Sequence, residues 1–401
     1  MEPFNKNTQL AYGKARLWLG ITNVGVMVLF AAFFITNLSL ISVFYTQPAS
    51  LNDTVFALLL WSLMIVAIQA PFDWIGGFFL PRRYEGKPVQ LSVFFHHWLK
   101  AVLAYSSCSF LIGFFVYQGK IIDPFWGPFL CFSLTIIILT SLQFGLASIL
   151  APIKTLEVER FLPPSVPGRP VDIHWVETSE LSFTGGISGW PGREIISMPV
   201  QWRKLFPETA LFLMKLKRWG SIQSGARLNG LIVSVLYALV GFFVALTLTG
   251  GLVSIADFVL TVCWFTLWSF LGLLLLPYFN QQGVFYSDYW ALKTLKQGPH
   301  QQEPETSVLQ ESIQAYTALQ SDRTDRKGLL QAIFYPIPSE ESRLNAIRKQ
   351  SIAVPTDLPV LSTWHSARQF LYLSWAGLSM VNRSVHCNSG KPELWAFLPC
   401  D

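Results

Sequence analysis

The chain offers six histidines and five cysteines as side chains that could hold a metal. His365, His386, Cys387 and Cys400 cluster toward one end of the sequence, with His174 as a further candidate ligand. Imidazole and thiolate suit zinc, but structural zinc sites space them in close pairs such as C-x-x-C. The spacing here follows no such pattern, so capped or half-buried polar groups are the plainer reading. His96 and His97 in "VFFHHWLK" stand beside Trp98 and Lys100 at the entrance of an apolar run, the composition of an interfacial belt. Gly185, Gly186, Gly189 and Gly192 have the content of a phosphate loop. Such a loop opens directly into a helix with a lysine, whereas strand-like "REIISMP" follows here. No G-x-S-x-G elbow supports a serine hydrolase. Asp73 and Asp257 lie in or beside apolar runs, where a carboxylate can mark an ion pathway of a transporter or channel. Asp73 also sits close to Arg82 and Arg83, which fits an interfacial carboxylate.

The elements that must position these groups are mostly membrane spans. Of 401 residues, 52% are hydrophobic and 13% charged, and the mean hydropathy is +0.41, which excludes an ordinary soluble domain. Uncharged runs near the ~20 residues needed to cross a bilayer occur at residues 17–52, 54–72, 101–119, 124–153, 228–256 and 258–287. The first is too long for a signal-peptide core and is expected to be a retained anchor. Lys6, Lys14 and Arg16 precede it, Arg82, Arg83 and Lys87 follow the second run, and Lys154 and Arg160 follow the fourth. Cations resist translocation, so both termini are expected to be cytoplasmic. The net charge of +5 needs no nucleic acid, since positive-inside loops against an anionic leaflet account for it. Cys108, Cys131 and Cys263 fall inside apolar runs and act as small hydrophobes. Cys387 and Cys400 are cytosolic in this topology, where no disulfide is expected.

Organisation follows from composition. Residues 1–153 read as a four-span unit, 154–227 as a cytosolic part, 228–280 as two further spans and 281–401 as a cytosolic helical part. After Ile153 the linker "FLPPSVPGRP" leads to "VDIHWVE" and "LSFTGGISGWPGREIISMPV", whose β-branched residues and turn signals predict a short sheet with a hairpin at Gly189–Gly192. A helix is predicted after "FPE", with Pro207 in its first turn and Glu208 at the positive end of its dipole. "PYFNQQGVFYSDYWALKTLK" reads as a separate helix start, and "STWHSARQFLYLSWAGLSMVNRSVHC" as a packed soluble helix rather than a seventh span.

From Val171 to Leu344 the order of elements resembles the HtpX-type and CAAX prenyl protease-type membrane zinc metallopeptidases. "LSFTGGISG" with "REIISMP" is similar to the family's active-site edge strand, and "FPETALFLMKLKRWGSI" to its catalytic helix. "FYSDYWALKTL" is similar to the helix bringing the third metal ligand, and "AIFYPIPSEESRLNAI" to a His-Pro segment followed by an Arg-containing helix. The resemblance implies an α-helical polytopic membrane protein of about six transmembrane helices with a cytosolic α+β, zincin-like domain. It covers under half of the chain.

In that family two histidines at i and i+4, a glutamate beside the first and a later glutamate hold and work the zinc. Aligned through Gly220, those positions here are Lys217, Arg218 and Ser221, and aligned through Ser287 and Asp288 the last is Val284. An ammonium has no lone pair, a guanidinium is no base near neutral pH, and valine has no ligand atom. No shift of register helps, because no histidine lies between His174 and His300 and no glutamate between Glu208 and Glu303. The histidine of the His-Pro segment is Tyr335, while Asp288, which in the family supports the ligands from behind, is kept. Arg203, Lys204, Lys215, Lys217, Arg218 and Arg227 are expected to form a basic face toward anionic lipid headgroups. The resulting expectation is a non-catalytic inner-membrane protein of bacterial type, without cofactor. It would bind or scaffold a protein or peptide partner along the edge strand at Ser182, Phe183, Thr184, Gly185, Gly186 and Ile187. The alternative is an active metallopeptidase with an unorthodox site built from His365, His386, Cys387 and Cys400.

Overall fold

A computed structural model describes residues 6–37, 50–84, 90–150, 154–163, 167–178, 183–296, 305–320, 333, 337–348, 373 and 378–381. Two compact units emerge. One comprises the described residues of Met1–Leu142, Val235–Gly272 and Phe370–Phe397, the other those of Gln143–Ser234 and Leu273–Gln369.

Six helices are long and apolar enough to cross a membrane. They lie in α1 (Lys6–Thr36), α2 (Leu51–Trp74, prolonged by a π-turn at Ile75–Phe79 and a last turn at Leu80–Tyr84), α3 (Leu91–Gln118) and α4 (Trp126–Leu150), then in α7 (Ala226–Thr249) and α8 (Ile255–Lys296). Their apolar windows bury at most half of their residues against the protein, and Leu29, Phe33, Leu63 and Leu111 point outward, as lipid-facing side chains do. Buried hydroxyls along the spans turn back on the helix: Thr135 donates to the Cys131 carbonyl at 2.8 Å and Thr140 to Ile136 at 2.8 Å, which satisfies them without a partner helix.

The two acids that suggested an ion pathway have local roles. Asp257 Oδ2 accepts from the Ser254 N–H at 2.7 Å, and its own N–H donates to Ser254 Oγ at 3.2 Å. This is a reciprocal cap of a helix start. Ser50 and Asp53 repeat it at the start of α2. Asp73 is 2% exposed and accepts from Trp98 Nε1 at 3.0 Å.

The second unit holds a four-stranded sheet of order β1-β2-β4-β3: β1 (Lys154–Phe161), β2 (Val171–Glu177), β3 (Gly186–Ser188) and β4 (Ile195–Pro199). β1 and β3 run antiparallel to their neighbours, and β2 lies parallel to β4. The predicted hairpin joins β3 to β4, with Gly189 at φ +89° and Gly192 at φ +92°, a backbone that favours glycine. α5 (Trp202–Leu205) and α6 (Glu208–Gln223) follow. Pro207 is the N-cap of α6, one position ahead of the first turn expected for it, and Glu208 begins the helix at the positive end of its dipole. Ile173, Trp175, Ile196 and Met198 of the sheet form the core with Leu213, Leu216 and Trp219 of α6. Ala291, Leu292 and Leu295 of α8 and Val308, Leu309 and Ile313 of α9 (Glu305–Gln320) complete it, together with Leu344 of α10 (Glu340–Arg348).

α7 and α8 each run from one unit into the other. Two expectations are corrected. "PYFNQQG" starts no new helix: Pro277 sits inside α8, which continues for 42 residues. Its missing N–H forfeits one helical bond, and the apolar residues around it carry the helix through. Finally, the described piece of the run read as a soluble helix, Leu378–Val381, lies among membrane helices. Gln69 Nε2 donates to the Met380 carbonyl at 3.3 Å, and the Met380 N–H donates to Thr266 Oγ1 at 3.1 Å. Gln69 and Thr266 are both fully buried in spans, and main-chain groups satisfy polar side chains there that water cannot reach.

Candidate functional site

The site forms where α6 crosses α8. Gly220 makes that crossing close: a Cβ there would lie 2.3 Å from the Trp290 ring, and the rings of Trp219 and Trp290 are 5.4 Å apart. A side chain at 220 would push the helices apart. The contact brings Lys217 of α6 to Asp288 of α8, with Nζ 2.7 Å from Oδ1. From α10, Arg343 clamps the same carboxylate through Nε at 2.6 Å and Nη2 at 2.8 Å. Side-chain exposure is 1% for Asp288, 6% for Arg343 and 14% for Lys217, so this is a buried charge network. The bidentate fork is the geometry guanidinium and carboxylate favour.

Arg218, 4% exposed, turns the other way. Its Nη1 donates to the Ser197 carbonyl of β4 at 3.1 Å and its Nη2 to the Thr184 carbonyl ahead of β3 at 2.6 Å, with the Trp202 ring 5.3 Å from its Cζ. Gly185, at φ +73°, permits this: a Cβ there would lie 2.0 Å from the Ser197 oxygen. Ser221 Oγ donates to the Arg218 carbonyl at 2.9 Å, and Val284 is buried one turn before Asp288, its carbonyl accepting from Ser287 Oγ at 3.0 Å.

These donors do not fit a zinc ion. An ammonium and a guanidinium supply hydrogens rather than lone pairs, Val284 supplies nothing, and the Lys217 charge is directed at the Asp288 carboxylate. No group of three His, Cys, Asp or Glu side chains converges among the described residues. His365, His386, Cys387, Cys400, Tyr335 and Ser182 lie outside the described residues. His174 sits on β2 with its ring 5.0 Å from Phe144. Burial pushes its imidazole below the ordinary 6.5, against the opposing pull of Asp172.

β3 ends the sheet, as the edge reading required, but Phe183 through Ser188 are all buried and Arg218 holds the Thr184 carbonyl. It is not an open edge. Of the expected basic face Lys204 is exposed, and the rest is paired or buried. Arg203 pairs with Glu157 at 2.6 Å, Lys215 with Glu159 at 2.7 Å and Lys217 with Asp288, while Arg218 and Arg227 are buried. Carboxylates of β1, across the sheet from α5 and α6, take the charges that read as a headgroup patch. Arg343 belongs to the "SEESRLNAI" segment, and nothing in the spacing of the sequence places its guanidinium on Asp288.

No protein-family model matches the sequence, and no curated protein matches it. Among solved structures, the crystal structure of Ste24p from S. mikatae is similar, with a TM-score of 0.60 over 86% of this chain and 100% of that chain, at 12% sequence identity. At that identity the likeness is one of fold. The shared fold is that of a mostly helical chain with six helices long and apolar enough to cross a membrane and a small mixed sheet. Ste24p is a CAAX prenyl protease, the type suggested by the order of elements in the sequence.

Proposed function

We propose that this chain is a non-catalytic relative of the HtpX-type and CAAX prenyl protease-type metallopeptidases, which binds or scaffolds protein partners at the cytosolic face of a membrane. The observation that supports the reading is the Lys217 ammonium 2.7 Å from Asp288: the residue aligned with the family's first histidine is spent on an ion pair with a carboxylate. Hydrolysis there needs a Lewis acid and a base for the attacking water, and Lys217, Arg218, Ser221 and Val284 offer neither. A peptide pairing along the whole of Phe183–Ile187 would have to displace Arg218 from the Thr184 carbonyl, so capture there is coupled to the movement of this guanidinium.

The test is elemental analysis and peptidase assay of detergent-purified protein beside an HtpX-type control that retains its His and Glu ligands. Absence of zinc and of peptide cleavage here, with both present in the control, is the expected outcome. Zinc near one per chain with chelator-sensitive cleavage would overturn the reading and direct mutagenesis to His365, His386, Cys387 and Cys400.

A further inference from the structure

Two short connections in the unit that holds Met1–Leu142 and Val235–Gly272 turn their charges inward and their aliphatic side chains outward. A 3-10 turn (Gly119–Ile121) and residues 122–125 join α3 to α4, and residues 250–254 join α7 to α8. The two are hydrogen-bonded together: the Leu252 N–H donates to the Pro124 carbonyl at 2.7 Å and Lys120 Nζ to the Val253 carbonyl at 3.1 Å. Lys120 also donates to the Tyr117 hydroxyl and lies 3.9 Å from the centre of that ring. Asp123 accepts from the N–H groups of Phe125 and Trp126 at 2.8 and 2.6 Å, where α4 begins. Lys120 and Asp123 are the charged residues of these connections, and both are spent on the protein itself.

What remains on the outside is apolar. Ile121 is 78% exposed, Ile122 72% and Val253 55%. The turn is closed main chain to main chain, since a Cβ at Gly127 would lie 1.8 Å from the Gly119 oxygen, so it has no interior for its isoleucines. At Trp126 the patch runs into a stripe of α4: Trp126, Leu130, Leu134 and Ile137 recur at helical spacing and are all exposed, on a span long and apolar enough to cross a membrane. The rings of Phe125, Trp126, Phe129 and Phe243 pack on one another at this level, and tryptophan at the end of a span belongs to the membrane interface.

The length of α3 sets the depth. Between Lys100 and Lys120 its charge-free stretch covers residues 101–119 and rises about 28 Å. The hydrocarbon layer is ~30 Å thick, and any tilt shortens the projection of the helix further. With the exposed Lys100 at one boundary, residues 119–122 reach the other boundary without clearing the headgroups.

We propose that these two connections lie within the headgroup layer of the bilayer rather than in water, with Ile121, Ile122 and Val253 against the outer ends of the lipid chains and Trp126 at the level of the glycerol groups. The patch is continuous with the lipid-facing side of α4, and an apolar surface whose charges are already paired suits lipid better than water. The connections then offer a soluble partner or a protease no surface to engage. This inference does not depend on whether the chain is catalytic.

Site-directed fluorescence on the full-length chain tests it. A nitrobenzoxadiazole label is attached to Ile122→Cys in a background whose native cysteines are replaced, and the protein is reconstituted into phosphatidylcholine vesicles with iodide on both sides of the membrane. Val253→Cys is a second site should the first variant misfold, and Glu311→Cys, exposed on α9, is the aqueous reference. The expected result is a blue-shifted label at 122, quenched by headgroup-proximal doxyl lipid and several-fold less quenched by iodide than the label at 311. Changing the lipid from dimyristoyl to dierucoyl phosphatidylcholine should raise the doxyl quenching, because α3 holds the distance between its ends fixed while the bilayer thickens. Iodide quenching at 122 and 253 equal to that at 311 overturns the proposal. Protection from both quenchers also overturns it, since protein rather than lipid would then cover the patch.

Discussion

Replacing Asp288 by asparagine removes the one anion shared by Lys217 and Arg343. Asp288 receives three charge-assisted contacts between 2.6 and 2.8 Å and its side chain is 1% exposed, so water cannot take over when the charge is lost. At an effective dielectric near 20, two unit charges about 4 Å apart interact by ~4 kcal/mol. Desolvation offsets much of that in the intact network. It offers no relief once two cations are left facing a neutral amide. Loss of one member of a buried pair costs about 3–5 kcal/mol, and Asp288→Asn is expected in that range. Lys217→Met should cost far less, about 1–2 kcal/mol, because Arg343 still holds Asp288 by both oxygens and Lys217 is the most exposed of the three. The assay is the unfolding midpoint in detergent at a fixed scan rate, followed by tryptophan fluorescence, with the double variant closing a cycle. The predicted order is Asp288→Asn well below Lys217→Met. Equal shifts, or the reverse order, would refute the claim that Asp288 is the hub of the network.

Other expectations follow from separate contacts. Gly220→Ala should destabilise by about 1–3 kcal/mol, as overpacking does, because its Cβ would meet Trp290 at 2.3 Å; an unchanged unfolding midpoint would show that α6 and α8 are not in close contact there. His174, with its pKa held low by burial, binds fewer protons folded than unfolded, so stability is full above about 6.5 and falls as pH drops below it. A midpoint-versus-pH curve should therefore fall more steeply on the acid side for the parent than for His174→Gln. The quadruple variant Lys217→His, Arg218→Glu, Ser221→His, Val284→Glu tests the alignment through Gly220 and Asp288: it should bind zinc that the parent lacks in elemental analysis, and failure of the folded variant to do so would refute that register.

Much of the scaffold was legible in the sequence. Uncharged runs announced the six spans because the bilayer sets a minimum length, and the glycines at 189 and 192 announced the hairpin because their φ values require them. Less visible was anything decided by tertiary pairing. Charge counting grouped Arg203, Lys215 and Lys217 into a basic face, yet each has a carboxylate partner distant in sequence, Glu157, Glu159 or Asp288. β3 ends the sheet but shares only Gly186 and Ile187 with the expected edge stretch, and its burial and the hold of Arg218 on Thr184 depend on packing that no local pattern encodes. The same holds for Gln69 and Met380, far apart in the chain and joined by a buried polar group in need of an acceptor.

The ammonium beside Asp288 differs from a metal ion in how it gets there. Lys217 is translated with the chain, so its occupancy is fixed at one per molecule from synthesis onward, with no loading step, no competing ion and no sensitivity to chelators. On the reading proposed above, a domain held together this way would mature whenever it folds, whatever the metal supply. It gives up exchangeability in return: a site that accepts and releases an ion can respond to its supply, and a lysine tethered to its own helix cannot.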